Sequence, residues 1–314
     1  MSDVKLLVCG AFNEEERARF DANYPNVYAA SPDDIAGVDA DTRVGITAVV
    51  FKGHAPFGGA AMDPLENLGL IANFGVGYDA IDVDAASERG VKVTNTPDVL
   101  NDDVADLAVA LMLTQTRNMI EGDNLTRSGR WAGGGSLPLN RKMTGGTVGI
   151  CGLGRIGREI ADRLAAFKMD IHYHSRSEKQ TPGWTYHADP KSLAEAVDWY
   201  VVALVGGKET EGYVSRDVIN ALGKNGVIIN ISRGTTIDEE AMLDALESGA
   251  IAGAGLDVFI NEPHLNERFY ELTNVVLQPH QGSGTHETRR AMAEVQLSNV
   301  TAFFNGDALV TLVN

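Results

Sequence analysis

Short, almost wholly apolar runs recur along the chain and alternate with longer amphipathic stretches. Val4–Cys9, Ile46–Phe51, Leu68–Asn73 and Val91–Thr94 read as strands. A charged helical stretch begins at Asn13, and Val83–Arg89 reads as a helix closed by Gly90. Apolar runs without polar alternation belong to strands buried on both faces, the mark of parallel sheets covered by helices. Asp102–Asn118 reads as a long, largely apolar helix with acids in its first turn. The stretch Ser128–Gly146 then breaks the rhythm, with Trp131, three consecutive glycines from Gly133, and Pro138. An irregular segment of that length in a compact protein usually serves function or a subunit contact. The rhythm returns with runs at Val148–Cys151, Ile171–His174, Trp199–Val205, Val227–Ile231, Gly253–Val258 and Val275–Leu277, and a helix over Glu287–Phe304 closes the chain. The expected fold is α/β, with two doubly wound parallel-sheet domains. One spans residues 98–286; the other is discontinuous, residues 1–97 joined by 287–314.

Composition narrows the partners. Against 26 Lys and Arg stand 43 Asp and Glu, a formal charge of −17. That excludes a nucleic-acid binder, whose affinity rests on neutralising phosphates, and a polybasic membrane surface. Apolar runs such as Leu107–Leu113 fall far short of the roughly 20 residues a membrane span needs. The chain enters its first strand without a leader pattern and closes on Thr-Leu-Val-Asn, which is no retention address. Only Cys9 and Cys151 are present, both in apolar runs, so a disulfide framework is not expected and the cytoplasm is the simplest compartment.

The most informative local motif is Gly152-Leu153-Gly154-Arg155-Ile156-Gly157. It follows an apolar strand and opens a helical pattern, the context in which G-x-G-x-x-G marks a Rossmann-like dinucleotide site. Gly152 permits the tight turn, Gly154 lets backbone approach a pyrophosphate, and Gly157 lets helix and strand pack closely. The helix N-terminus then offers free N–H groups to the phosphates. An NAD site usually carries Asp or Glu at the end of the next strand. Here that strand ends in Ser175-Arg176-Ser177, while Asp170 precedes it and Glu178 lies beyond. A guanidinium and two hydroxyls suit the 2′-phosphate of NADP, so NADP(H) is the expected cofactor and NAD(H) the alternative.

Three later residues supply the chemistry of carbonyl reduction. Hydride delivered to a keto carbon creates an alkoxide that a positioned acid must protonate. His280 follows an apolar strand in Leu-Gln-Pro-His280-Gln-Gly-Ser. Glu262 lies in Asn-Glu262-Pro and Arg233 in Ile-Ser-Arg233-Gly, each shortly after a strand. Open parallel sheets bind ligands at the carboxyl ends of their strands, so the three are candidates for one crevice. Taken singly, each has a structural explanation: a packed His after Pro, a solvated Glu, an Arg paired with a local acid. Their order behind the glycine loop favours the catalytic reading.

Together with Asn73-Phe-Gly75-Val76-Gly77-Tyr-Asp, Gly255-Leu-Asp257-Val-Phe and Pro279-His-Gln-Gly282-Ser283, these motifs resemble those of the D-2-hydroxyacid dehydrogenases. Within that family the chain is most similar to the NADPH-preferring glyoxylate/hydroxypyruvate reductases, on the strength of Ser175-Arg176-Ser177. The resemblance implies an active site in the cleft between the two domains, the discontinuous one binding substrate. Arg233 would bind and polarise substrate, Glu262 support the acid–base group, and His280 be that group. Val76 and Gly77 would offer N–H groups to the substrate carboxylate, with Ser283 nearby. Ile231, Asp257 and Gly282 would join the glycine loop around the cofactor, and no metal is implied. Arg130-Trp131 resembles an arm whose Trp borders the partner's substrate site, which implies a homodimer. Gly206-Gly207 departs from the turn frequent in the family. The loop Phe51–Gly59 matches no known pattern, and Lys52 or His54 there is either a substrate contact or solvated.

Two other functions fit the same residues: an NAD-linked enzyme for another 2-hydroxy acid, such as phosphoglycerate or lactate, and a non-catalytic dinucleotide-sensing protein. In each case an acidic protein must hold anions with local positive features. Those expected here are Arg176, Arg233, His280 and the helix N-terminus after Gly154.

Overall fold

The computed structural model describes residues 4–314; Met1–Asp3, the start of the N-terminal reading, lie outside the described residues. The chain divides into two compact units, one running to Leu100 and joined by Thr285–Asn314, the other Asn101–Gly284.

In the first unit, β1 (Leu6–Gly10), β2 (Asn26–Ala29), β3 (Ala48–Lys52), β4 (Leu70–Asn73) and β5 (Lys92–Thr94) form one sheet in the order β2-β1-β3-β4-β5. All its pairings are parallel. The inner strands β3 and β4 carry Ala48, Val49, Val50, Phe51, Leu70, Ile71 and Ala72 without exposure, as their apolar runs require. The order reverses between β1 and β3, the point where such sheets take ligands. The helix His286–Asn305 packs back on β3 and β4. Its buried Asn299 ties the tail to it: the amide donates to Thr311 Oγ1 at 2.8 Å, and Oδ1 accepts from Val310 N and Thr311 N.

The second unit has β6 (Thr147–Cys151), β7 (Asp170–His174), β8 (Thr185–His187), β9 (Trp199–Val202), β10 (Val227–Asn230), β11 (Gly253–Leu256) and β12 (Val275–Leu277). These form one sheet in the order β12-β11-β10-β9-β6-β7-β8, again with parallel pairings throughout. The α/β class and the two parallel sheets are therefore as the sequence pattern implies. The order reverses between β6 and β9, at the strand that carries the glycine loop. Helix Asn101–Thr116 lies on β10, β11 and β12 and against helix Arg155–Ala166, where Arg163 grips Asp102 and Asp106 at 2.6 Å.

The pattern missed some elements. β2 and β8 are short edge strands with polar residues and little apolar signal. The expected helix over 102–118 stops at Thr116, because Asn118 turns left-handed (φ 48°) and caps a second helix, Met119–Arg127. Residues 128–146 contain turns but no helix or strand. Asp170 is the first residue of β7 rather than preceding it, and so lies at the end opposite Ser175.

Asn299→Ala strands Val310 N and Thr311 N without their buried acceptor. It is expected to cost about 2 kcal/mol, read as a lower denaturant midpoint of the first unit.

Candidate functional site

In the second unit the site is built on the carboxyl edge of the sheet. Beyond Cys151 the chain turns through Gly152 at φ 105°, where a Cβ would lie 2.5 Å from the carbonyl oxygen of Ala203. Gly157 is tighter still, since a Cβ there would come 2.1 Å from the Gly152 oxygen. These two glycines seat helix Arg155–Ala166 directly behind β6. Gly154 is different. It is exposed, no atom comes within 4 Å of where its Cβ would be, and no side chain caps the helix it begins. The turn therefore presents open space in front of N–H groups at a positive helix end, the cradle a pyrophosphate requires. Leu153 is buried beneath the turn, Arg155 is exposed and Ile156 half-buried. These residues fit a dinucleotide.

At the end of β7, Ser175 Oγ donates to the Ser177 carbonyl at 2.6 Å, closing a tight turn with Arg176 at its tip. Arg176 is exposed and makes no ion pair among the described residues. The turn bears no carboxylate; Glu178 follows it, exposed. On the strands flanking this turn, His172 Nδ1 and His187 Nε2 share a hydrogen bond at 2.9 Å. Burial first, then the neighbouring His172, lower the pKa of His187, with Asp189 opposing.

Arg233 follows β10 and begins a short 3-10 turn, Gly234–Thr236. Its backbone is fixed on both sides. Arg233 N donates to Ser232 Oγ at 2.6 Å, and its carbonyl accepts from Asn230 Nδ2 at 2.9 Å and Thr236 Oγ1 at 2.6 Å. Nη1 donates to the Ser232 carbonyl at 2.8 Å. Gly234 cannot carry a side chain, since a Cβ would lie 2.0 Å from the Phe259 carbonyl carbon. Ile231 is buried beside it.

Beyond β11, Asp257 is buried and braces the turn after β12. Its Oδ1 accepts from Gln281 N at 2.6 Å, and Oδ2 accepts from Gly282 N at 2.8 Å. Burial raises its pKa against these two bonds and the pull of His280. The braced turn holds His280 in a left-handed conformation (φ 54°), a region a non-glycine residue seldom enters and one common at functional sites. There His280 Nδ1 meets Glu262 Oε2 at 2.6 Å. The other carboxylate oxygen accepts from Phe259 N at 2.8 Å, and Asn261 before it is also left-handed (φ 61°). An ionised carboxylate only accepts, so Nδ1 carries a proton in this contact, and a second proton on Nε2 is the one an imidazolium can give up. Ser283 is half-buried beyond the turn. Arg176, Arg233, His280 and the helix after Gly154 all follow strands of this one sheet at the same edge.

In the first unit, the loop after β4 orients its backbone. Asn73 Nδ2 donates to the Gly75 and Gly77 carbonyls at 3.2 and 2.9 Å, and Asn95 Nδ2 donates to that of Val76 at 2.9 Å. Gly75 N is held by Thr96 Oγ1 at 3.0 Å. With three consecutive carbonyls engaged, the Val76 and Gly77 N–H groups have no hydrogen-bond partner among the described residues. Such a nest suits a carboxylate. These roles of Asn73, Asn95 and Thr96 go beyond what the sequence pattern implies. The signal was an Asn at a strand end followed by G-x-G, and an Asn-Thr pair after the next strand. The loop Phe51–Gly59 is better anchored than expected. Lys52 Nζ is held by Glu16 at 2.6 Å and Phe57 is wholly buried, leaving Gly53–Pro56 exposed. Trp131 is 66% exposed on the segment following helix Met119–Arg127.

Residues 109–282 match the model of the D-isomer specific 2-hydroxyacid dehydrogenase NAD binding domain. The chain is 45% identical over 271 residues to a glyoxylate/hydroxypyruvate reductase A of Arabidopsis thaliana, 86% of each chain being covered. It is 46% identical over 268 residues to a hydroxyphenylpyruvate reductase of Plectranthus scutellarioides, with 85% of each covered. Among solved structures it is similar to an NADPH-dependent glyoxylate/hydroxypyruvate reductase of Sinorhizobium meliloti in complex with NADP and malonate. That likeness has 40% identity and a TM-score of 0.94, covering 99% of this chain and 97% of the other.

A histidine whose pKa is depressed in the folded state stabilises above its ordinary value of 6.5 and loses that contribution as pH falls through the folded value. The melting temperature of the second unit is thus expected to drop as pH is lowered from above to below 6.5. In His187→Gln the drop should be smaller, measured by thermal unfolding across that range.

Proposed function

Because the chain belongs to the D-isomer specific 2-hydroxyacid dehydrogenase family, we propose that it reduces small 2-oxo acids with NADPH. Glyoxylate and hydroxypyruvate are the substrates, giving glycolate and D-glycerate. One observation carries this reading: the 2.6 Å contact of Glu262 with His280, on the sheet edge that also bears the glycine loop. A nicotinamide held there would supply the hydride for the keto carbon. His280 Nε2 gives the proton that the resulting alkoxide needs, while Glu262 Oε2 holds the ring through Nδ1 and steadies the charge on it. Arg233, fixed by Asn230, Ser232 and Thr236, binds the substrate carboxylate and polarises the neighbouring carbonyl. In the first unit, the Val76 and Gly77 N–H groups are suited to a carboxylate. The cofactor domain would be the one near residues 98–286, where residues 152–157 would hold the pyrophosphate, Ser175, Arg176 and Ser177 the 2′-phosphate, and Ile231, Asp257 and Gly282 the nicotinamide end.

Two further parts of the reading rest on surface and core. Met119, Ile120, Trp131 and Leu139, all strongly exposed, fall within one stretch. Apolar exposure of this kind supports a homodimer in which Trp131 borders the partner's substrate. Cys9 and Cys151 are buried free thiols, compatible with the cytoplasm. Among the described residues no helix is long and apolar enough to cross a membrane.

The test follows NADPH and NADH oxidation in parallel with glyoxylate, hydroxypyruvate and the bulkier hydroxyphenylpyruvate. NADPH oxidation fastest with the two small acids is the expected result. A preference for NADH would return the alternative cofactor, and no oxidation with any acid would favour the dinucleotide-sensing reading. His280→Ala is expected to lower kcat by about 10²- to 10⁴-fold while NADPH still binds, as checked by cofactor fluorescence. Retained turnover would remove His280 from the proton-donor role.

A further inference from the structure

The segment 175–184, which carries Arg176, is fixed at one point in an unusual way. Tyr173 lies on β7 with its ring buried at 1% exposure. Its hydroxyl accepts from Lys179 N at 2.9 Å and donates to Lys179 O at 3.0 Å. A single phenol thus takes both backbone groups of one exposed residue, as a neighbouring strand would. The segment is held elsewhere as well. Tyr186 Oη donates to the Ser175 carbonyl at 3.4 Å, and Arg158 Nη2 donates to that of Gln180 at 2.5 Å. Arg158 also stacks over Trp184, 5.2 Å from the ring centroid. Backbone order bought at the cost of a buried phenol makes sense where one side chain must point in one direction. The Lys179 ammonium points back over the turn, 3.4 Å from Ser177 Oγ.

We propose that Lys179 is a second cation for the 2′-phosphate of NADPH, held beside Ser177 by the Tyr173 clamp. This rests on the NADPH reading above, with Arg176 as the first cation. A phosphate monoester carries about −1.5 to −2 charges near neutral pH, more than one guanidinium balances. Glu178, between the two cations, adds a negative charge of its own that a second cation offsets. Lys179 touches the ligand; Tyr173 acts through Lys179 and is a positioning residue.

Equilibrium binding of NADPH and NADH, measured by cofactor fluorescence, tests this in the full chain. Lys179→Met is expected to raise the Kd for NADPH roughly three- to tenfold, the range between a screened surface ion pair and a charge-assisted hydrogen bond. NADH affinity should not change, and Lys179→Arg should keep the preference. Tyr173→Phe preserves the buried ring and should lose NADPH preference in the same direction, but add little in the Lys179→Met background. A Lys179→Met variant that weakens both cofactors equally, or neither, overturns the proposal. A full effect of Tyr173→Phe in the Lys179→Met background overturns the clamp. A wild-type protein that binds NADH more tightly overturns the NADPH reading and this inference together. Loss of NADPH preference in Arg176→Ala but not in Lys179→Met defeats the inference alone.

Discussion

The second unit depends on one backbone contact: Gly157 lying against the carbonyl of Gly152. Any side chain at Gly157 would push helix Arg155–Ala166 off β6 and withdraw its N-terminal N–H groups from the sheet edge. Because neighbouring strands are parallel, the edge that receives the helix end also receives the turns after β7, β10, β11 and β12. The chemistry gathers there through sheet direction, with residues far apart in sequence placed at equivalent ends of parallel strands.

Around that edge, polar groups are spent mainly on other polar groups of the backbone. Asp257 braces the Gln281–Gly282 turn, Asn230 and Thr236 hold the Arg233 carbonyl, and Glu262 divides its oxygens between Phe259 N and His280. Buried polar groups need partners, and here those partners set the aim of the exposed groups. In the first unit the same economy appears in Asn73 and Asn95, which fix three carbonyls and thereby orient N–H groups the opposite way.

Much of the fold was legible because inner strands of parallel sheets are apolar on both faces, so β3, β4, β9 and β10 read as continuous runs. β2 and β8 were not legible, since an edge strand pairs on one side only and tolerates residues such as Asn26 and Thr185. The glycine loop could be read from its local context. The roles of Asn95 and Thr96 toward Gly75 and Val76 could not, because they depend on which strands become neighbours. Lys52 looked available in sequence; its partner Glu16 lies on a helix whose position only the packing reveals.

The loop Phe51–Gly59 has a consequence for how such a protein diverges. Phe51 and Phe57, both buried and 5.3 Å apart by ring centroid, act as pegs at either end of an exposed cassette, Gly53–Pro56. Drift at Gly53, Ala55 and Pro56 leaves the core untouched, so these positions can explore new side chains at little risk to folding. Changes in length would pull a peg. Relatives that diverge in this loop should therefore do so by replacement more often than by insertion.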